Sequence, residues 1–310
     1  MFETIVVALD GSALAQQALP IAARLARSAA GSLVLFRAIS PPLSTIWPTL
    51  EPSPALSELL VTEHERARDY LEQLAASKEL SGIKVLIDVL DGEPTSLILA
   101  LAQQYQASLI VLSRHGEGGW RQWMGGVALK VARSSPIPVL VLSAQGTEVL
   151  QSRAQPYSVR VLVPLDGSLL AEEALSPAIA LTRALSAPAP GALHLASVLS
   201  WQGPEEGGRV VQAAQEYLAT VEQRIRERAD AAHLTLTCSV LLHLDVAQAL
   251  LELAESGKGM GQNCGSSGCD ALVMATHGRG GRQHWMMGSI TERVLGATKL
   301  PLLIVRPTRQ

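Results

Sequence analysis

A tandem repeat constrains this chain more than any other feature. Residues 5–9 form a short apolar run of strand type that ends at Asp10-Gly11-Ser12, with Ser12 placed to cap a following helix. The same pattern returns 156 residues later, where residues 161–165 end at Asp166-Gly167-Ser168. Apolar residues then recur at one helical spacing in both copies, at Leu14, Ala18, Ala22, Leu25 and Ala29 and at Leu170, Ala174, Ala178, Leu181 and Leu185. This displacement indicates a tandem duplication.

Each copy continues as an alternation of strands and helices. The predicted later strands are residues 33–39, 85–90, 109–112 and 138–142 in the first copy and 193–199, 234–241, 271–274 and 301–305 in the second. The predicted helices between them are residues 55–78 and 95–104, then 210–232, 246–255 and 291–297. Such alternation predicts a parallel sheet covered by helices on both faces.

Three segments interrupt the repeat. Residues 144–158 contain Gln, Gly, Ser and Pro without clear periodicity, so they are predicted to link a first domain, 1–143, to a second, 159–310. The first copy has a proline-rich loop from Pro41 to Pro54. The second has a Gly/Ser-rich insertion at 256–268, which is expected to be a mobile surface loop.

Composition narrows the class of protein. A net charge of −3 and an aromatic content of 4% give no basic or stacking surface for nucleic acid. No apolar run approaches the roughly 18 residues of a spanning helix, and the N-terminus lacks the basic region of a signal peptide. Three cysteines are too few for a disulfide framework. We therefore expect a cytoplasmic protein that does not enter membranes.

A glycine-rich turn follows the fourth strand of the second copy. Gly278 and Gly288 lack a Cβ, so backbone N–H groups there can approach a ligand closely. Ser289 is predicted to be the N-cap of the last helix, with Glu292 as its capping-box partner. A helix N-terminus attracts anions, so this turn is a candidate phosphate site. The alternative is an ordinary glycine-rich surface loop before a capped helix.

These motifs together resemble the universal stress protein family. The resemblance rests on Asp-Gly-Ser after the first strand and Gly-x9-Gly-Ser after the fourth, and it covers nearly the whole chain twice. It implies two tandem Rossmann-like or flavodoxin-like α/β domains, each a five-stranded parallel sheet with helices on both faces, packed as an internal pseudo-dimer. In the family's nucleotide-binding branch, a Gly-x2-Gly-x9-Gly-Ser/Thr loop holds ATP.

The second half matches that loop closely. Ala275 replaces the first glycine, while Gly278, Gly288 and Ser289 agree with the motif. The resemblance implies ATP or a related adenine nucleotide, with Mg²⁺ left open, and places Asp166 near the ribose and phosphates and Val198 near the adenine. The implied binding residues are Pro164, Leu165, Asp166, Val198, Met274, Ala275, His277, Gly278, Gly288, Ser289 and Ile290. Asp10 and Asp166 have an alternative role in turn or cap chemistry.

The first half departs further from the motif. Ser113 replaces the first glycine, and only eight residues separate Gly116 from Gly125. In that alignment Gly126 replaces the serine and Leu129 stands where Glu292 does. A one-residue shift gives a nine-residue gap that ends at Gly126, but Val127 then replaces the serine. Either alignment loses the hydroxyl. We therefore expect the second half to bind nucleotide better, with a weaker or vestigial first site at Asp10, Gly116, Gly125 and Gly126.

Catalysis has little support in the sequence. Neither Gly-x4-Gly-Lys-Ser/Thr nor Gly-x-Ser-x-Gly occurs, and no base for ATP hydrolysis is identifiable, so at most slow hydrolysis is expected. Cys264 and Cys269 lie near His277 and His284, but their four-residue gap is not that of a zinc knuckle, and no metal is expected. The expected function is nucleotide-dependent sensing or binding in stress adaptation. The alternatives are an interaction or structural module without nucleotide, and a weak ATPase; a homodimer of the chain stays open.

Overall fold

The computed structural model describes residues 1–39, 54–114, 126–152, 157–200, 207–257, 268–277 and 287–307. The interior of the proline-rich segment, most of the 256–268 insertion and the centres of both glycine loops lie outside these ranges. Gly116, Gly125, Gly278, Cys264 and His284 are therefore not placed.

The described elements of the first half follow the predicted alternation. They are β1 (Thr4–Ala8), α1 (Ala13–Gln16), α2 (Ala18–Ser28), β2 (Ser32–Ile39), α3 (Pro54–Ala75), β3 (Lys84–Asp91), α4 (Pro94–Gln104), β4 (Leu109–Ser113), α5 (Val127–Ser134) and β5 (Val139–Leu142). A 3₁₀ turn at Lys78–Leu80 follows α3, so that helix ends earlier than predicted.

A helix, α6 (Ala144–Ser152), then precedes the second half. The elements that follow are β6 (Arg160–Pro164), α7 (Leu169–Glu172), α8 (Leu175–Ser186), β7 (Ala192–Leu199), α9 (Gly207–Arg226), β8 (Thr235–Leu242), α10 (Val246–Ser256), β9 (Ala271–Ala275), α11 (Ser289–Ala297) and β10 (Leu302–Val305). A 3₁₀ turn at Ala229–Ala231 follows α9, in the same place as the turn after α3.

The strands of the described residues form one ten-stranded sheet with the order β3-β2-β1-β4-β5-β10-β9-β6-β7-β8. All neighbours within a half are parallel, which confirms the predicted architecture. The halves meet where β5 and β10 pair antiparallel, with Leu140 opposite Leu303. Two five-stranded sheets are thus joined edge to edge, a continuity that the repeat alone did not predict.

Alternate residues of the central strands point to opposite faces of the sheet. Ile5 and Val7 pack under the helices of one face, and Val6 packs under those of the other. Each of these two cores continues into the second half, through Leu303 on the first face and Ile304 on the second. Because the strands are buried on both faces, they read as continuous apolar runs in the sequence.

Part of the predicted linker is folded as α6. Ser143 starts this helix, since its hydroxyl accepts from the N–H of Gly146 at 3.1 Å and donates to the carbonyl of Lys299. Gly146 is packed so closely that a Cβ there would lie 2.6 Å from the Lys299 oxygen. The polar composition of the segment concealed this helix, because the helix is held by residues far away in the chain, in α2 and at Lys299 and Pro301.

Candidate functional site

The Asp-Gly-Ser turns end β1 and β6 in the same way. Gly11 and Gly167 have φ angles of +88° and +82°, a region that glycine adopts without a Cβ clash. Ser12 caps α1 as predicted, since its hydroxyl accepts from the N–H of Ala15 at 3.1 Å. The turn role proposed for the aspartates is also present, because Asp10 accepts from the Ser12 N–H at 2.9 Å.

Asp166 has the same turn contacts and stays exposed. Its Oδ1 accepts from the N–H of Ser168 at 3.0 Å and from the hydroxyl of Ser168 at 2.6 Å. The carboxylate is exposed to solvent at the end of β6. The turn role therefore leaves Asp166 on the edge of the sheet where open α/β folds bind ligands.

The glycine loop of the second half is closed at its base. After β9, the N–H of Thr276 donates to Val305 at 2.8 Å, and the carbonyl of Thr276 accepts from the N–H of Gly288 at 2.7 Å. Thr291 adds a third bond, from its hydroxyl to the carbonyl of Ala275 at 2.9 Å. Thr276 and Gly288, which flank the centre of the loop, are thus in direct contact, and residues 278–286 lie outside the described ranges.

The last helix begins one residue earlier than the capping prediction. Gly288, held by Thr276, is the N-cap, and Ser289 is the first helical residue, so the predicted Ser289 cap is wrong. The capping box is wrong as well, because the Glu292 carboxylate pairs with Arg133 of the first half at 2.5 Å. The helical bond from the Glu292 N–H reaches the Gly288 carbonyl at 3.0 Å. The N–H groups of Ser289, Ile290 and Thr291 precede this bond, so they lie at the N-terminus of the helix and have no acceptor within it.

The backbone of the first half decides between the two alignments of its glycine loop. Gly126 is the N-cap of α5 as Gly288 is of α11, and α5 begins at Val127. The N–H of Arg114 donates to Leu142 at 2.7 Å, as that of Thr276 does to Val305. The nine-residue alignment is therefore correct, and the eight-residue alignment, with Gly125 as the motif glycine and Leu129 in place of Glu292, is wrong. Val127 stands in the place of Ser289.

A cavity of about 450 Å³ lies at the carboxyl ends of β1, β2 and β4. Its lining is mostly apolar and consists of Ala8, Leu9, Asp10, Phe36, Ala38, Pro94, Ile98, Leu112, Ser113, Arg114, Gly126, Val127, Ala128 and Leu129. Equivalent positions in the second half are occupied by Pro164, Leu165, Asp166, Val198, Met274, Ala275, Gly288, Ser289 and Ile290. Nine of the eleven residues predicted for the second site, all but His277 and Gly278, thus correspond to residues that line a cavity in the first half.

The structure brings the predicted second-half residues to one edge of the sheet. Pro164 ends β6, and the N–H of Leu165 donates to Ala196 at 2.8 Å. Val198 is half-buried near the end of β7, and Ala275 ends β9. Because β9, β6 and β7 are neighbours in the sheet, these strand ends lie side by side.

Two other predicted residues of this group lie around the end of β9. Met274 is buried within the strand. His277, just beyond it, has its Nδ1 2.9 Å from the hydroxyl of Thr276.

Each half has an ion pair beside this edge that the sequence reasoning missed. Glu93 caps α4, and hydrogen bonds from Thr95 and Ser96 lower its pKa to about 2. Asp245 caps α10, and its pKa is lowered chiefly by a hydrogen bond from Arg293 of α11 at 2.5 Å. An acidic residue directly before a helical pattern was the available signal. In the first half, Nζ of Lys130 on α5 lies 3.9 Å from Oε1 of Glu93, so each pair joins the fourth helix of its half to the last one.

The comparisons with known proteins identify the class. The model of the Universal stress protein family matches residues 1–143 and again residues 159–306, so the chain belongs to that family. A universal stress protein of Mycolicibacterium smegmatis is 26% identical over 321 residues, covering 98% of this chain and 97% of the relative. The universal stress protein Rv2623 of Mycobacterium tuberculosis is 25% identical over 313 residues, covering 97% and 96%.

A single-domain relative and a solved structure agree with the duplication and the fold. Universal stress protein Sll1388 of Synechocystis is 30% identical over 148 residues, which are 44% of this chain and 96% of the relative. The crystal structure of a universal stress protein from Archaeoglobus fulgidus has a TM-score of 0.64 at 17% identity, with 99% of this chain and 97% of that chain covered. The last likeness concerns the fold alone.

None of the helices in the described ranges is both long and apolar enough to cross a bilayer. Nor do the described His, Cys, Asp and Glu side chains gather in groups of three or more that would hold a metal ion. Cys269 is buried, and its predicted neighbours Cys264 and His284 are not placed.

Proposed function

We propose that this chain binds ATP or a related adenine nucleotide, mainly in its second half, and acts as a nucleotide-dependent sensing module of the cytoplasmic stress response. The observation that carries the proposal is the convergence of three strand ends with the exposed start of α11. Asp166, Val198 and Ser289 stand at this edge on three separate elements. Ligands of open α/β sheets bind outside the carboxyl ends of the strands in this way.

The base and ribose are assigned to the strand ends. Val198 is half-buried and offers an apolar contact, and Asp166 is an exposed acceptor for ribose hydroxyls. The equivalent cavity of the first half, at about 450 Å³, has the size of small-molecule sites in proteins. This internal counterpart supports the placement.

The phosphates are assigned to the start of α11. Three N–H groups, from Ser289 to Thr291, and the partial positive charge of the helix dipole favour an anion there. The exposed Ser289 hydroxyl adds a donor that Val127 of the first half lacks. This difference favours the second half for a phosphorylated ligand, and it is the reason for assigning the nucleotide there.

The proposed role is binding rather than turnover. A ligand that binds only the folded protein stabilises it, by about 2.7 kcal/mol at a concentration 100 times its Kd. Occupied and empty forms would then differ in the stability of the second half. Such a difference is what a sensing module presents to its partners.

The internal repeat supplies the matched variants for the test. The test is calorimetric titration of ATP into the wild type, Ser289→Val and Val127→Ser. The wild type and V127S should bind ATP with equal affinity. S289V should bind it at least fivefold more weakly, because the loss of one hydrogen bond costs about 1 kcal/mol. Equal affinity of S289V and the wild type would contradict the assignment to the second half. A wild type that binds no adenine nucleotide would instead favour an interaction module.

A further inference from the structure

Two arginines of the first half hold the last helix of the second half. At the first turn of α11, Arg133 pairs with Glu292 at 2.5 Å. At the last turn, Arg114 donates from Nη1 to the carbonyl of Leu295 at 2.5 Å and from Nη2 to that of Thr298 at 2.7 Å. The helix that presents Ser289 is therefore fixed at both ends by the other half of the chain.

The contacts of Arg114 match the needs of a helix C-terminus. The last carbonyls of a helix lack N–H partners and carry partial negative charge, which a guanidinium complements with a rigid fork of donors. Burial lowers the pKa of Arg114 through desolvation. Arg114 also lines the first-half cavity, so one residue borders the first site and contacts the helix of the second.

The arrangement is not symmetric between the halves. Thr276, which holds the position of Arg114 in the second half, bonds within its own loop to Gly288 and His277. The C-terminus of α5 is approached instead by Arg306, whose Nη1 lies 3.5 Å from the carbonyls of Ser134 and Ser135. The longer distances indicate a weaker hold on α5 than on α11.

We propose that Arg114 and Arg133 are positioning residues of the second-half site, so that the first half sets the orientation and the charge of the helix start that receives the phosphates. The inference rests on the proposed function. A helix of nine residues is about 13 Å long and moves as a rod, so a change at its last turn reaches Ser289. At the first turn, Arg133 neutralises a carboxylate that would otherwise repel phosphate.

The two arginines have different expected signatures. Arg133→Ala leaves Glu292 uncompensated, so affinity should fall about threefold for ATP and less for ADP and AMP, because the repulsion grows with ligand charge. Glu292→Gln in the same chain should restore it. Arg114→Ala disturbs helix position, so all three nucleotides should weaken alike, by roughly tenfold. Arg114→Lys, which keeps the charge and one donor direction, should recover part of that loss.

Calorimetric titration of ATP, ADP and AMP into the full-length variants tests the inference, with Arg306→Ala as the matched control at the other helix. R306A should keep wild-type affinity. R133A should lose affinity most for ATP, and R114A should lose it equally for all three nucleotides. Wild-type affinity in R114A, or a loss in R133A that does not depend on ligand charge, would overturn it.

A second measurement separates this inference from the proposed function. A wild type that binds no nucleotide would defeat the proposed function, and amide exchange of residues 289–297 in the ligand-free protein would then decide the positioning claim alone. Faster exchange there in R114A than in R306A is expected. Equal exchange in the two variants would overturn the claim.

Discussion

The N–H of Gly288 donates to the carbonyl of Thr276 at 2.7 Å, and this bond closes the glycine loop of the second half. It also explains why the last helix starts at Ser289, because Gly288 is held outside the helix as its cap. Position 288 admits little besides glycine. A Cβ there would lie 2.9 Å from the Thr276 oxygen, closer than real Cβ contacts.

Gly288→Ala should therefore lower both stability and nucleotide affinity. Overpacking of this kind costs about 1–3 kcal/mol, and any relief must move the helix start away from Thr276. Gly208→Ala is the control, since a Cβ at that exposed helical glycine meets nothing within 4 Å. Urea unfolding and ATP titration of both variants are the measurements. If G288A were as stable as G208A, the close approach would not constrain the loop.

A buried histidine should make the second half sensitive to acid. His194 in β7 is fully buried, with Nδ1 2.8 Å from the Thr237 hydroxyl and Nε2 2.8 Å from that of Ser239. Burial, and secondly the charge of Arg160, lowers its pKa from 6.5 to about 4. Between these values the unfolded chain binds a proton that the folded chain does not. Stability should therefore fall as the pH drops from about 6.5 to about 4, by roughly 3 kcal/mol in total.

His194→Val tests this dependence with a residue that the repeat supplies, because Val34 is buried at the same position of β2. The variant should be less stable at pH 7, since the hydroxyls of Thr237 and Ser239 lose a partner. Its stability relative to the wild type should then rise as the pH falls. Urea unfolding at several pH values gives this difference, and a constant difference from pH 7 to pH 4.5 would show that His194 does not titrate as argued.

The docking of α6, the helix in the predicted linker, should contribute to the stability of the protein. A Cβ at Gly146 would lie 2.5 Å from Cδ of Pro301 and 2.6 Å from the carbonyl of Lys299. Gly146→Ala should displace α6 and destabilise the protein by about 2 kcal/mol. The adjacent Gln145 is exposed, so Gln145→Ala should be neutral. Thermal unfolding compares the two, and a G146A protein with the melting temperature of Q145A would argue against tight docking of α6.

Local features were predictable from the sequence because neighbours along the chain create them. The strands, the Asp-Gly-Ser turns and the Ser12 cap all arise within a few residues, and the exact repeat reinforced each of them. The predicted cap at Ser289 failed because the carbonyl that fixes Gly288 belongs to Thr276, beyond the loop. The alignment of the first-half loop stayed open between two choices for a similar reason, since the helix start at Gly126 depends on the folded backbone.

Long-range contacts could not be predicted from the sequence. The pairing of β5 with β10 and the contacts of Arg114 join residues that are far apart in the chain, and nothing near them signals a partner. The sequence signal for His194 was weak, because it is only one polar residue within an apolar run. Its partners, Thr237 and Ser239, lie two residues apart on the neighbouring strand β8. The candidate site could be predicted from the sequence because its residues lie at the ends of strands, and the strand ends of a parallel sheet meet at one edge.

The adenine nucleotide content of freshly purified protein, released by acid and quantified per chain, is the sharpest test of nucleotide binding by the second half. We expect about one nucleotide per wild-type chain, consistent with a single competent site. Gly278→Ala and Ser289→Val should contain little, and Val127→Ser should contain an unchanged amount. Nucleotide retained in both second-half variants, or none in the wild type together with no uptake of added ATP and Mg²⁺, would contradict binding by the second half.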